Sequence, residues 1–88
     1  MHIVPGFIVR DIAGETVAIP SGAAAAKLSG LVALNPSGKF LFELLKEEST
    51  EESLTDALLS EYDIDRETAL NDVREFLQIL RQSGILIE

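Results

Sequence analysis

The chain has no cysteine. That absence excludes disulfides, thiolate nucleophiles and cysteine-ligated zinc or iron–sulfur clusters. A domain without cross-links must be held by packing alone, which fits a reducing cytoplasm. Histidine is nearly absent: His2 is the only one, and it stands at a terminus expected to fray. A catalytic triad needs a well-placed base, and His2 is a poor one. Long apolar runs are missing as well. The apolar stretches, such as residues 31–34 and 40–45, the second broken by Glu43, fall far short of a membrane span. No basic region followed by an apolar stretch opens the chain, so no secretory signal is expected and a soluble cytoplasmic protein is the default. Cations are scarce: seven Lys and Arg stand against 15 Asp and Glu, for a net charge of −8. Nucleic-acid binding draws most of its affinity from neutralised phosphates, so this balance opposes it. It opposes anionic membrane surfaces for the same reason.

What is present is one small globular unit. The 88 residues, 47% of them hydrophobic, allow one domain and one core, with no linker or repeat. A domain of this size buries only about 60% of its unfolded surface, so every packed element matters.

The chain divides into a β part and an α part. Phe7–Ile12 and Glu15–Ile19 are short and rich in Val, Ile and Phe, and Gly14 between them suits a tight hairpin. Val17 and Ile19 point one way, with Thr16 and Ala18 opposite. Pro20 ends the second strand. Residues 21–28 read as a loop with a helical turn at 23–27, and Gly30–Leu34 as a third strand. Asn35 then caps a first helix with Pro36 at its first position. That helix runs to about Lys46, with Phe40, Leu41, Leu44 and Leu45 inward and Phe42 partly outside the stripe. Ser49 with Glu52, or Thr50 with Ser53, caps a second helix. Its stripe is Leu54, Ala57, Leu58 and Tyr62. Asp65 caps a third, running to about Ser83. Gly84 is its left-handed ending, with Ile85 folding back on Leu80. Residues 85–88 extend against the body.

The third helix is the most informative. Ala69, Leu70, Val73, Phe76, Leu77 and Leu80 fill one arc of about 120°. Ile79 falls outside it, beside Phe76, Asp72 and Ser83. This flank either packs on a neighbouring element or lines a groove.

Motifs for covalent chemistry fail on inspection. Asp63-Ile64-Asp65-Arg66-Glu67 begins like a calcium loop, but Thr68 replaces the glycine and Arg74 the bidentate glutamate. Pro36-Ser37-Gly38-Lys39 lacks the first glycine of a phosphate loop. No Asp-Ser-Leu motif is present to carry an acyl carrier's prosthetic arm. Glu47, Glu48, Glu51 and Glu52 read as a solvated surface, the last two complementing a helix dipole. No catalytic residue, metal site or cofactor is therefore assigned, and no enzyme activity is expected.

Taken in order, the residues resemble the PqqD-like family. Three short strands lead into Leu34-Asn35-Pro36-Ser37-Gly38-Lys39-Phe40 and a helix ending Glu43-Leu44-Leu45. Then come Thr50-Glu51-Glu52-Ser53-Leu54, Leu58-Leu59-Ser60-Glu61-Tyr62-Asp63-Ile64-Asp65, Asn71-Asp72-Val73-Arg74-Glu75-Phe76-Leu77 and Leu80-Arg81-Gln82-Ser83-Gly84-Ile85-Leu86. The resemblance spans about residues 5 to 87. Pro36 and Lys39 stand where many members have other residues, and Ser53 replaces a common Glu.

The resemblance implies an α+β, winged-helix-like fold: a three-stranded antiparallel sheet followed by three helices. It implies a stand-alone peptide chaperone that binds the leader of a ribosomal precursor peptide by strand addition. The bound leader is presented to a modifying enzyme, often a radical S-adenosylmethionine enzyme. The edge at Gly30, Leu31, Val32, Ala33 and Leu34 would supply backbone groups. In a cleft between the third strand and the third helix, Phe76, Ile79 and the apolar side chains of one strand face would form the pocket, with Ser83 on the same helical flank and Asp72 and Arg74 as its charged rim. An open edge is also compatible with a homodimer that exchanges strands. Two alternatives accompany this reading. One is a scaffold subunit that binds only a partner protein. The other is a DNA-binding winged helix, in which Arg74, Gln78, Arg81 and Gln82 would face the groove beside Glu67, Asp72 and Glu75.

Overall fold

A computed structural model describes residues 1–22, 25 and 31–88. The first long strands, β2 (Phe7–Ile12) and β3 (Glu15–Pro20), follow a two-residue strand β1 (His2–Ile3). They pair antiparallel with Ile12 opposite Glu15, leaving Ala13 and Gly14 as the whole connection. Both have positive φ, 52° and 84°, as a type I′ turn requires. Glycine is at ease there, whereas Ala13 carries a steric cost of about 1 kcal/mol. Thr16 Oγ1 donates to Asp11 Oδ1 at 2.6 Å across the pair.

Strand β4 (Val32–Leu34) pairs with β3 from Thr16↔Leu34 to Ala18↔Val32, giving the order β2-β3-β4. It is shorter than the expected strand over residues 30–34. Leu31 lies outside it, and Gly30 is outside the described residues. Of the helical turn expected at 23–27, only Ala25 falls within them.

Three helices follow among the described residues: α1 (Pro36–Leu44), α2 (Glu51–Glu61) and α3 (Arg66–Gln82). Each starts at a side chain that accepts a backbone N–H. Asn35 accepts from Gly38 at 2.7 Å, and Asp65 from Thr68 at 2.7 Å. For α2 the capping box is Thr50 with Ser53, each side chain accepting the other's N–H at 2.9 Å. The alternative box of Ser49 with Glu52 does not form. Ser49 is buried instead, and its hydroxyl donates to the carbonyls of Leu44 and Glu47 at the end of α1. Helix α3 closes on Gly84, φ 73°. Ile85 N–H reaches the Leu80 carbonyl at 2.9 Å and Gly84 N–H that of Arg81 at 3.1 Å, the two bonds of a Schellman ending.

The core lies between the sheet and the helices. Leu41, Phe42 and Leu45 meet Leu54 and Leu58 of α2, and Ala69, Val73, Leu77 and Leu80 of α3. Phe42 corrects the expected inner face of α1. It is fully buried, while Phe40 and Leu44 are half-buried. A single-helix projection shows one face, but α1 is covered on two sides. Phe7 of β2 lies over Phe42 with ring centroids 5.8 Å apart. Val17 and Ala18 are likewise both buried, although they point to opposite faces of β3.

The N-terminal residues depart from expectation too. Rather than fraying, β1 pairs antiparallel with β5 (Leu86–Ile87), with His2 opposite Ile87 and Ile3 opposite Leu86. Ile3 N–H bonds to the Leu45 carbonyl at 2.9 Å, and Ile3 is 4% exposed. The Met1 ammonium bonds to the Glu48 carboxylate and the Ser49 carbonyl, and His2 Nδ1 sits 2.9 Å from Glu48 Oε2. This second, two-stranded sheet accounts for residues 85–88 lying against the body.

Candidate functional site

Strand β4 is the edge of its sheet. Among the described residues it pairs with β3 alone, so one side of Val32–Leu34 has no strand partner. The register alternates along it. Leu34 is buried against the core, Ala33 is exposed and Val32 is half-buried. Leu31, just before the strand, is 57% exposed.

Asn35 follows β4 directly and also lines a groove of about 230 Å³ between α1 and α3. Ser37, Gly38 and Leu41 form one wall; Asp72, Glu75, Phe76 and Ile79 form the other. Positions 72, 75, 76 and 79 have the i, i+3, i+4, i+7 spacing that makes one stripe along a helix. Gly38 sets how closely the walls approach. A Cβ there would lie 2.9 Å from Asn35 Oδ1 and 3.3 Å from the Phe76 ring. The missing side chain lets the ring reach α1 and leaves the cap undisturbed. Phe76 is half-buried, packing on the core with one part and lining the groove with another. Ile79 is 50% exposed and stands outside the core.

Of the residues singled out from sequence, Asp72, Phe76 and Ile79 come together in this groove. Leu31 to Leu34 lie along the adjoining edge. Gly30 is outside the described residues. Arg74 is not brought into the groove. It lies on the opposite flank of α3, where its Nε donates to Glu51 Oε1 at 2.6 Å. Ser83 is the C-cap of α3, exposed and one turn beyond Ile79, and does not line the groove. Asn35, Ser37, Gly38, Leu41 and Glu75 also line the groove, beyond the residues the sequence singles out. Glu75 was within reach of the sequence, three residues after Asp72 and four before Ile79. The α1 wall was not, because it depends on how two helices meet.

The charges divide the molecule. Each arginine of α3 is held by a carboxylate: Arg66 by Asp56 at 3.0 Å, Arg74 by Glu51, and Arg81 by Glu88 at 2.8 Å. The Arg81–Glu88 contact raises the guanidinium pKa and lowers that of the carboxyl. A recognition helix whose cations are already neutralised has little to offer phosphates. Glu48 is held below the usual carboxylate range by its hydrogen bond to the Met1 ammonium and then by His2. Asp65 is lowered by hydrogen bonding to Thr68, from its side chain first and then from the backbone N–H of the cap. In the groove Asp72 and Glu75 have no ion-pair partner among the described residues. Nor does any group of three or more His, Asp or Glu side chains there assemble a cation site.

The family model for coenzyme PQQ synthesis protein D (PqqD) matches residues 15–86. The chain belongs to the PqqD family. Among solved structures, this PqqD-family chain is similar to TbiB1 in complex with the TbiA(beta) leader peptide. That match has 28% identity and a TM-score of 0.73, covering 98% of this chain and 94% of the other. A second is lasso peptide synthetase B1 complexed with the leader peptide, at 17% identity and a TM-score of 0.71, covering 99% and 96%. The second likeness is one of fold. No curated protein matches the chain. Among the described residues no helix is long and apolar enough to cross a membrane.

Proposed function

We propose that this PqqD-family chain binds the leader segment of a ribosomally made precursor peptide and presents it to a modifying enzyme. One observation carries the reading: β4, whose second side has no strand partner among the described residues, ends at Leu34, and the next residue, Asn35, lines a partly apolar groove on α3. The solved neighbour at 28% identity holds a leader peptide, which supports the same assignment here.

The mode is strand addition. The backbone groups of Val32–Leu34 hydrogen-bond an extended leader whatever its sequence, and alternate side chains of that leader enter the groove. Phe76 and Ile79 give up exposed apolar surface to them. Arg74 plays no part in this contact, being engaged with Glu51 on the other flank. The chain performs no covalent step. Its contribution is to raise the effective concentration of the precursor at the enzyme that docks beside it. It acts in the cytoplasm, where such precursors are made.

The test is a titration of isotope-labelled protein with synthetic candidate leader peptides. Amide shifts confined to residues 31–35 and the 72–79 stripe support the reading. Saturable binding that moves only distant amides contradicts it.

A further inference from the structure

The leader-binding reading leaves open which side chain chemistry the groove selects, and the α3 stripe bears on this. Asp72 and Glu75 occupy the half of the stripe nearer the start of α3, and Phe76 and Ile79 the half nearer its end. The other wall adds Asn35, Ser37, Gly38 and Leu41, which bring no cation. Two carboxylates therefore share one short groove with no basic group to balance them among the described residues. Elsewhere on the same helix every arginine is matched to an acid. Covering the groove with an apolar or acidic segment would strip water from two like charges without compensation, which is unfavourable.

We infer that the bound segment carries a lysine or arginine that meets Asp72 and Glu75, two positions away from a large apolar residue that meets Phe76 and Ile79. The spacing follows from geometry. The acidic pair is centred four residues before the apolar pair, which at about 1.5 Å per helical residue is roughly 6 Å. An extended peptide covers about 6.5 Å in two residues, and those two side chains point to the same side. One strand can thus place a cation and an apolar group on the stripe together, with the side chain between them facing away. A segment with an acid at the first position is repelled, so the carboxylates act chiefly by excluding wrong sequences.

This inference rests on the leader-binding reading, and its experiment separates the two. Short random-sequence peptides are displayed and selected on the purified chain and on two variants: Asp72→Asn with Glu75→Gln, and Asp72→Lys with Glu75→Lys. Both sites are exposed, and a thermal melt verifies that each variant is folded. The native chain should enrich Lys or Arg two positions from a large apolar residue. The neutral variant should lose the basic preference and keep the apolar one, and the lysine variant should prefer Asp or Glu. A selected peptide should bind the neutral variant roughly fivefold more weakly, with a smaller salt dependence. Suppose enriched peptides compete for the groove, as judged by loss on Ile79→Asp, but show no basic preference or an unchanged one in both variants. The charge assignment is then overturned and leader binding stands. If the native chain enriches no peptide, the leader-binding reading falls and this inference with it.

Discussion

Ile79→Ala separates a groove residue from a core residue more cleanly than any other single change. Fully burying an isoleucine side chain contributes about 2–3 kcal/mol. Half of Ile79 is already covered in the free protein, since it is 50% exposed and lies outside the core cluster. The half left for a ligand to cover is therefore worth about 1–1.5 kcal/mol, which is roughly five- to tenfold in Kd. Folding stability should hardly respond. The loss of the covered half is partly offset by the better helix propensity of alanine, so the net change stays within about 1 kcal/mol. Thermal melts and calorimetric titration with a bound peptide read the two quantities on one sample. A variant destabilised by more than about 2 kcal/mol with unaltered affinity would show that Ile79 is a core residue and that the groove is misplaced.

Phe76→Ala should affect both quantities, because the ring packs on the core and also lines the groove. A stability loss of about 2–3 kcal/mol, below the range for a fully buried ring, should accompany weaker binding; a mutant normal in both melt and titration refutes the double role. Leu31→Pro removes an edge N–H from a residue outside β4, so the fold should survive while affinity drops, and unchanged affinity counts against strand addition at that end. Gly38→Ala forces a Cβ against the Asn35 cap and the Phe76 ring; despite the gain in helix propensity it should cost about 1 kcal/mol in urea unfolding, and a stabilised variant would show that both neighbours yield freely. Acid should loosen the N-terminal strand and the start of α3. Glu48 and Asp65 have folded pKa values below their unfolded ones, so their contribution is present above the ordinary carboxylate range. It is lost as pH falls through the lowered values, beginning below about pH 4. Hydrogen exchange of residues 1–3 and of the first turn of α3 should accelerate in that window, and protection independent of pH would refute the assignment.

Local chemistry made much of this fold legible in the sequence. The hairpin followed from Gly14 between two β-rich runs, the helix starts from Asn35 and Asp65, and the end of α3 from Gly84 before Ile85. Each signal acts within a few residues, so a linear reading reaches it. What escaped depends on contacts between distant segments. The pairing of β1 with β5 joins residues 2–3 to 86–87, and neither two-residue strand has a pattern of its own. Phe42 looked peripheral because nothing local foretells that Phe7 covers its side of α1. The choice of Thr50 over Ser49 as cap was settled by where the carbonyls of Leu44 and Glu47 fall. At the site, the α3 flank with Asp72, Phe76 and Ile79 was visible by periodicity, and the structure places all three in the groove. Arg74 was read as part of the rim, whereas the structure turns it to the other flank, where Glu51 claims it.

The central claim is that the side of β4 with no strand partner among the described residues accepts a further strand. Hydrogen exchange of the backbone amides in residues 31–35 tests it most directly, measured with and without a saturating leader peptide. Added protection at alternate amides along this edge, with the pairing of β3 to β4 unchanged, is the predicted result. Saturated binding that leaves every amide of the edge exchanging at its free rate would contradict the account.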